Sequence, residues 1–208
     1  MEHKIIVAGI GPGNPDYIVP AARQAIEEAA VLVGGSRALA DFARDGQATM
    51  TVRRDIPAVL AFVRDRLKTT DIVVMVSGDP GYFSLLDALR RDFPLECLQV
   101  IPGISSVQLA FSRLALPWHG ARLLSMHGRM PEKTELAYAP GAMLGILTDA
   151  VHNSRTIAQL LLQLGWPADT ELFICARLSY ADEKIIRTTL HGAGQEAEIG
   201  HCILVVKA

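Results

Sequence analysis

The sequence predicts an α/β protein of two domains, residues 1–115 with a mainly parallel sheet and residues 116–208 with a mixed sheet. Three observations predict it. Apolar, β-branched runs alternate with stretches of helical spacing through the first half, the pattern of strand–helix–strand units. Several of those runs stop abruptly in loops of glycine, proline and serine, as strands do where a crossover helix follows. After Leu116-Pro117-Trp118-His119-Gly120, which reads as a hinge, the texture changes and strands outnumber helices.

The elements follow in order. Residues 5–8 are a short apolar run that ends in Gly9-Ile10-Gly11-Pro12-Gly13. Residues 20–30 have helical spacing, and Pro20 suits a first helical position, where its missing N–H leaves no bond unmade. The pair before it, Ile18-Val19, offers no side-chain cap. Residues 30–33 form the next strand, closed by Gly34-Gly35. Residues 57–68 are an amphipathic helix with Leu60, Val63 and Leu67 on one face. A strand over 72–76, a helix near 83–91 and a strand over 97–101 come next, the last broken by Pro102-Gly103. Ser105 or Ser106 can cap the helix that runs to about Leu116. Beyond the hinge, 123–126, 143–147, 172–176, 184–189 and 202–207 read as strands. One long helix, 156–164, ends at Gly165. Trp118 and Trp166 suit either core or interface, with core the preferred reading.

Composition narrows the function. Of 208 residues, half are apolar and a fifth charged, as in ordinary globular proteins. A chain of this size buries roughly 70–75% of its unfolded surface and needs no covalent staples. The net charge of −2 gives no field that would favour nucleic acid or a membrane surface. No apolar run reaches the ~18 residues of a membrane span. Cys97, Cys175 and Cys202 are far apart in apolar runs, which reads as reduced, buried thiols in a cytoplasmic protein. Met1-Glu2-His3-Lys4 runs straight into the first strand, where no signal peptide fits. The excess of 15 arginines over 5 lysines fits genomic bias first, and it also supplies groups suited to bidentate carboxylate binding.

Three loops carry the chemistry. The first follows Val73-Val74-Met75-Val76 and reads Ser77-Gly78-Asp79-Pro80-Gly81-Tyr82. Loops at the carboxyl ends of parallel strands are where open α/β sheets bind ligands. Gly78 and Gly81 leave the backbone bare, Pro80 fixes the chain, and Asp79 is the lone acid among them. A plain strand-to-helix turn accounts for the motif equally well. The second, Pro102-Gly103-Ile104-Ser105-Ser106, has the same style, and two such loops point to one crevice. The third, Ser125-Met126-His127-Gly128-Arg129, places an imidazole and a guanidinium at a strand end, able to hold a carboxylate or move a proton. An exposed polar loop is the bland reading. Gly9-Ile10-Gly11-Pro12-Gly13 is not a dinucleotide fingerprint, since its third glycine comes one residue early and Pro12 and Pro15 delay any helix. The six histidines have no metal-ligand spacing, and there is no G-x-S-x-G or P-loop.

Taken together, Gly9 to Gly13, Ser77-Gly78-Asp79-Pro80 and Pro102-Gly103-Ile104-Ser105-Ser106 resemble the tetrapyrrole methylase family, in order and spacing, from end to end. The resemblance implies two α/β domains with S-adenosyl-L-methionine in the cleft between them. Within the family, Val33-Gly34-Gly35-Ser36-Arg37, Ser125 to Arg129 and Leu147-Thr148-Asp149 look most like the branch that methylates C5 of a cobalt-precorrin in cobalamin biosynthesis. Some members fuse this module to a C15-methylating, decarboxylating one. The chain stops at Ala208, so it resembles the stand-alone form, with the C15 step on a separate subunit. The family implies a homodimer. One departure is that members often carry Leu-Thr where this chain has Ile18-Val19.

By resemblance, Gly78, Asp79, Tyr82, Ser105 and Ser106 line the S-adenosylmethionine site, and Thr148 and the stretch Ala176-Arg177-Leu178 close over it through backbone groups. Asp79 could hold the loop, contact the cofactor or touch substrate, and a loop-shaping or cofactor role is favoured over a general base. The many carboxylates of a reduced tetrapyrrole call for local arginines, with Arg37 and Arg129 the candidates and His127 beside them. A methyl transfer to an electron-rich carbon needs positioning and no activated protein nucleophile, which suits a chain without a triad or metal cluster. No general base is assigned. The rival readings are a methylase of the same fold acting at another macrocycle carbon, one acting on a macromolecule, and a non-catalytic corrinoid-binding subunit.

Overall fold

A computed structural model describes residues 3–195 and 197–208; Met1 and Glu2 of the amino-terminal stretch lie outside them. The chain forms two compact units, 1–105 and 106–208. The division falls ten residues before the break read from the sequence.

The first unit is a five-stranded sheet, all parallel, in the order β3-β2-β4-β1-β5. The strands are β1 (Ile5–Gly9), β2 (Val31–Gly34), β3 (Ala48–Thr51), β4 (Ile72–Val76) and β5 (Leu98–Ile101). Central β4 is buried at every residue, as a strand covered on both faces must be. Its side chains alternate. Ile72, Val74 and Val76 join Ile5, Val7, Val31 and Val33 in one core, together with Val59, Val63, Leu67 and Leu89. The first three of these come from α3 (Ile56–Arg66) and its cap and Leu89 from α4 (Leu86–Asp92). Val73 and Met75 face the other core with Ala8 and Leu32, and with Ala22 and Ile26 of α1 (Pro20–Glu28). Pro20 opens α1 after Val19, which makes no side-chain cap, as the sequence indicated. In α3 the seam is Val59, Val63 and Leu67, spaced by four, with Leu60 at its edge. Asp55 caps that helix by accepting from the Ala58 N–H at 3.0 Å.

Two elements here went unseen in the sequence. Helix α2 (Ser36–Phe42) buries no residue fully, and edge strand β3 is half-buried along its length, so neither leaves a clear apolar period.

The second unit begins with α5 (Ser106–Arg113). Its mixed sheet runs β6-β7-β10-β8-β9, with β6 (Arg122–Ser125) parallel to β7 (Met143–Leu147) and all other pairs antiparallel. The remaining strands are β8 (Glu171–Ala176), β9 (Lys184–Thr189) and β10 (Cys202–Lys207). One face carries Leu144, Ile146, Leu172, Ile174, Leu204 and Val206. It is covered by α6 (Ser154–Gln163) and by α7 (Leu190–Gln195), a short helix with two glycines that the sequence did not reveal. Asn153 caps α6, accepting from the N–H groups of Arg155 and Thr156 at 3.1 Å each. Gly165 follows the helix at φ +87°, the left-handed position read from the sequence. The boundary moves to Ser106 because of packing. Gly145 of β7 lies where a Cβ would meet Phe111 at 2.9 Å and Val107 at 3.2 Å, so α5 seats directly on this sheet.

Trp166 is core, with its indole N–H donating to the Leu136 carbonyl at 2.8 Å. Trp118, also read as core, is 43% exposed in the loop after α5, where it has no sheet face to cover it. The three cysteines are free and buried. Among the described residues no helix is long and apolar enough to cross a membrane.

Candidate active site

In the first unit, the loops after β1, β4 and β5 converge at the carboxyl ends of three adjacent strands. Gly11 and Gly78 form an isolated antiparallel bridge, with the Gly78 N–H donating to the Gly11 carbonyl at 2.8 Å. Both glycines have positive φ, +75° and +71°. Contact between the loops is closest at Gly9, Gly78 and Gly103. A Cβ at Gly103 would stand 2.2 Å from the Gly78 carbonyl oxygen, and one at Gly9 would stand 2.7 Å from the Gly103 nitrogen. Only glycine fits such an approach of backbone to backbone.

Asp79 fastens these loops. Its Oδ1 accepts from the Gly81 N–H at 2.8 Å and its Oδ2 from the Gly103 N–H at 3.0 Å. Both carboxylate oxygens are thus engaged in shaping the loops, the first of the roles the sequence left open for it. Tyr82 is half-buried, its ring edge-on to Phe83 at 4.7 Å, and burial pushes its phenol well above the ordinary range. Ser105 is buried at the end of the unit, and Ser106 starts α5 in the next. The first unit therefore brings Gly78, Asp79, Tyr82 and Ser105 together with Gly9, Gly11 and Gly103. Sequence reasoning treated those last three as loop punctuation. The recurring glycine at or just past three apolar strands was the signal for them.

Arg37 borders that group. It lies on the wall of a cavity of about 360 Å³ that Gly11, Gly13 and Ser77 also line, with Ile10, Phe42, Val52, Met75 and Phe83 among its apolar lining. Its guanidinium donates to the Gly13 carbonyl at 3.4 Å and lies 3.6 Å from Asp41. The side chain remains largely exposed.

In the second unit, Thr148 directly follows β7 and is the hub of its neighbourhood. Its hydroxyl donates to the Cys202 carbonyl and accepts from the Cys202 N–H, both at 2.8 Å. This side chain is committed to holding β10, and only the backbone is left for any ligand. The Thr148 carbonyl in turn lies 3.2 Å from His127 Nδ1, a contact that suits an Nδ1–H donor. The His127 ring stands 5.9 Å from that of His201. Asp149 accepts from the N–H groups of Gly128, Val151 and His152 at 2.7–2.8 Å. Those bonds, with Gly128 the largest contributor and His152 next, hold its carboxyl well below the usual carboxylate range. The loop after β6 is thereby tied to the end of β7, with His127 and Arg129 both exposed.

Leu178 is buried in a separate loop, after β8, between Arg177 at φ +56° and Ser179 at φ +73°. The second unit thus joins His127 to Thr148, while Leu178 belongs to its own strained turn.

Among the described residues, no group of three or more histidine, cysteine or acidic side chains could hold a metal ion. Where the loops after β1, β4 and β5 meet, the polar groups are main-chain amides, the hydroxyls of Tyr82 and Ser105 and the doubly engaged carboxylate of Asp79.

Comparison with known proteins places the fold in a family. Residues 4–193 match the family model of tetrapyrrole (corrin/porphyrin) methylases. The chain is 35% identical over 161 residues to a cobalt-precorrin-7 C(5)-methyltransferase of Salmonella typhimurium, covering 77% of this chain and 79% of that protein. It is 31% identical over 183 residues to a decarboxylating precorrin-6Y C(5,15)-methyltransferase of a Sinorhizobium species, covering 87% of this chain and 44% of that one. Among solved structures, a uroporphyrin-III C-methyltransferase of Thermus thermophilus, complexed with S-adenosylhomocysteine, has the same fold. Its TM-score is 0.75 at 22% identity, over 98% of this chain and 91% of that one. The chain belongs to the tetrapyrrole methylases, a family of S-adenosylmethionine-dependent C-methyltransferases.

Proposed function

We propose that the chain methylates C5 of cobalt-precorrin-7 in cobalamin biosynthesis. The observation that carries this reading is the 35% identity, over 77% of the chain, to a protein named for that reaction. The same name recurs for a Methanocaldococcus jannaschii relative, 28% identical over 87% of the chain. S-adenosylmethionine, when bound, supplies a methyl group on a sulfonium that leaves as a neutral thioether.

The residues then divide the work. The Gly78–Tyr82 loop and Ser105, held in register by Asp79, present main-chain and hydroxyl groups to the methyl donor. Ser106, Thr148 and Leu178 are proposed to contribute to donor binding, Thr148 through its backbone alone. The cavity beside Arg37 accepts part of the macrocycle's rim, with apolar walls for the ring and the guanidinium for an acidic side chain. His127 and Arg129, exposed after β6, are the second proposed contact for the substrate's carboxylates. Placement of the two reactants supplies the catalysis, since aligned reactants alone can lower a barrier by several kcal/mol. The C15 methylation and decarboxylation are proposed to reside on a separate subunit, and the active form to be a homodimer.

The test is product analysis. The protein is incubated with cobalt-precorrin-7 and S-adenosylmethionine carrying a ¹³C-methyl group, and the labelled carbon is located by NMR. Label at C5 supports the reading. Label elsewhere favours a methylase for another position; relatives named for C11 methylation are 25–27% identical. Tight corrinoid binding without transfer would point to a non-catalytic subunit.

A further inference from the structure

The turn after β8 is unusual in its backbone. Arg177 and Ser179, neither of them glycine, both occupy the left-handed region, at φ +56° and +73°, on either side of buried Leu178. Each such residue costs of order 1 kcal/mol or more and persists only where its surroundings impose it, typically at ligand clamps and active sites. The surroundings here are specific. Glu183 Oε2 accepts from the Ser179 N–H at 2.7 Å. Its Oε1 accepts from Arg113 Nε at 2.6 Å, so the carboxylate is itself anchored from α5. The Arg113 bond foremost, with help from the Ser179 N–H, outweighs burial and holds the carboxyl below the usual carboxylate range. Arg177 is held separately, by Asp182 at 2.9 Å and by stacking over the Tyr180 ring at 4.6 Å. The main chain closes the turn, with the Tyr180 N–H on the Arg177 carbonyl and the Glu183 N–H on the Tyr180 carbonyl.

We propose that Glu183, anchored by Arg113, is a positioning residue for S-adenosylmethionine binding: it imposes the left-handed turn at Ser179 and so pre-organises the Arg177–Ser179 segment. This rests on the reading that the segment contributes to donor binding. Without the clasp, Ser179 relaxes toward ordinary backbone angles, and the ligand must reorder the turn when it binds.

The test is calorimetric titration with S-adenosylhomocysteine, alongside thermal unfolding, of the wild-type protein, Glu183→Ala, Glu183→Gln and the double variant Glu183→Ala with Ser179→Gly. Wild type is expected to bind one ligand per chain. Glu183→Ala should bind about tenfold more weakly, the size of effect that one relaxed left-handed residue produces. Glu183→Gln, which keeps an acceptor for the Ser179 N–H, should lie between them. The double variant should regain affinity over Glu183→Ala, because glycine adopts the left-handed region without the clasp. A purely structural ion pair would lower the unfolding temperature and leave the affinity of all variants unchanged, and that result overturns the proposal. A failure of the folded wild-type protein to bind the ligand would instead overturn the donor-site reading beneath it.

Discussion

Replacing Gly103 by alanine tests the convergence of the three strand-end loops directly. The added Cβ would stand 2.2 Å from the Gly78 carbonyl oxygen and 2.9 Å from both the Cα and the carbonyl carbon of Gly9. All three are backbone atoms, so no side chain can swing away. The loop after β5 must move by about an ångström, and the bond from its N–H to Asp79 Oδ2 breaks. Overpacking of this kind costs about 1–3 kcal/mol. The lost bond to a charged acceptor adds about 1.5–3 kcal/mol. Against this, alanine removes about 0.4–1 kcal/mol of unfolded-state entropy, since Gly103 does not need a positive φ. The expected loss is about 3 kcal/mol, read as a lower urea midpoint at unchanged slope. Affinity for S-adenosylhomocysteine should fall with it. Gly120→Ala is the control, because a Cβ there meets nothing within 4 Å, and it should stay within about 0.5 kcal/mol of wild type. A Gly103→Ala protein as stable as that control would refute the close approach and the argument built on it.

Other outcomes follow from the same geometry. Asp79→Asn keeps one carbonyl oxygen but turns an amine toward an N–H, so one of two loop bonds is lost at about 1–3 kcal/mol; hydrogen exchange should speed at Gly81 or Gly103. Thr148→Val preserves shape and deletes the hydroxyl's bonds to the carbonyl, N–H and thiol of Cys202, at a cost of about 1–3 kcal/mol in urea unfolding, the Cys202 N–H losing its hydroxyl partner. The Gly128 and His152 N–H groups hold the Asp149 carboxyl well below the usual aspartate range. Its contribution is therefore full above the unfolded-state pKa and declines only as the pH falls below that toward the folded value. The Gly128 amide should stay protected at pH 5, and loss of that protection between pH 7 and 5 would contradict the assignment. Arg129→Ala should weaken corrinoid binding and spare S-adenosylhomocysteine binding; equal loss of both would remove Arg129 from the substrate site.

Much of this protein is legible along the chain because its strongest signals are local. Central strands buried on both faces must be continuous apolar runs, so β4, β7 and β10 were read to the residue. The stops at Pro20 and Gly165 are properties of single residues, and the helix ends there carry them. Weak elements escaped for the converse reason. Helix α7 carries two glycines in six residues, and α2 buries nothing fully, so neither has a period to detect. The boundary at Ser106 escaped as well, since Val107 and Phe111 look alike whichever sheet they cover.

The sequence by itself determined the α/β class, the parallel and mixed sheets, and the loops that carry the family's motifs. All of these depend on which residues are neighbours in the chain. Tertiary structure alone decided what the motif residues do. Asp79 became a fastener because Gly103, from a loop 24 positions away, supplies the second N–H for its carboxylate. Thr148 became a strut because its hydroxyl meets Cys202, 54 positions away. The strain at Ser179 is sustained by a carboxylate that Arg113 anchors from 70 positions away. Hydrogen-bond partners so distant in sequence are chosen by packing, and no local pattern records them.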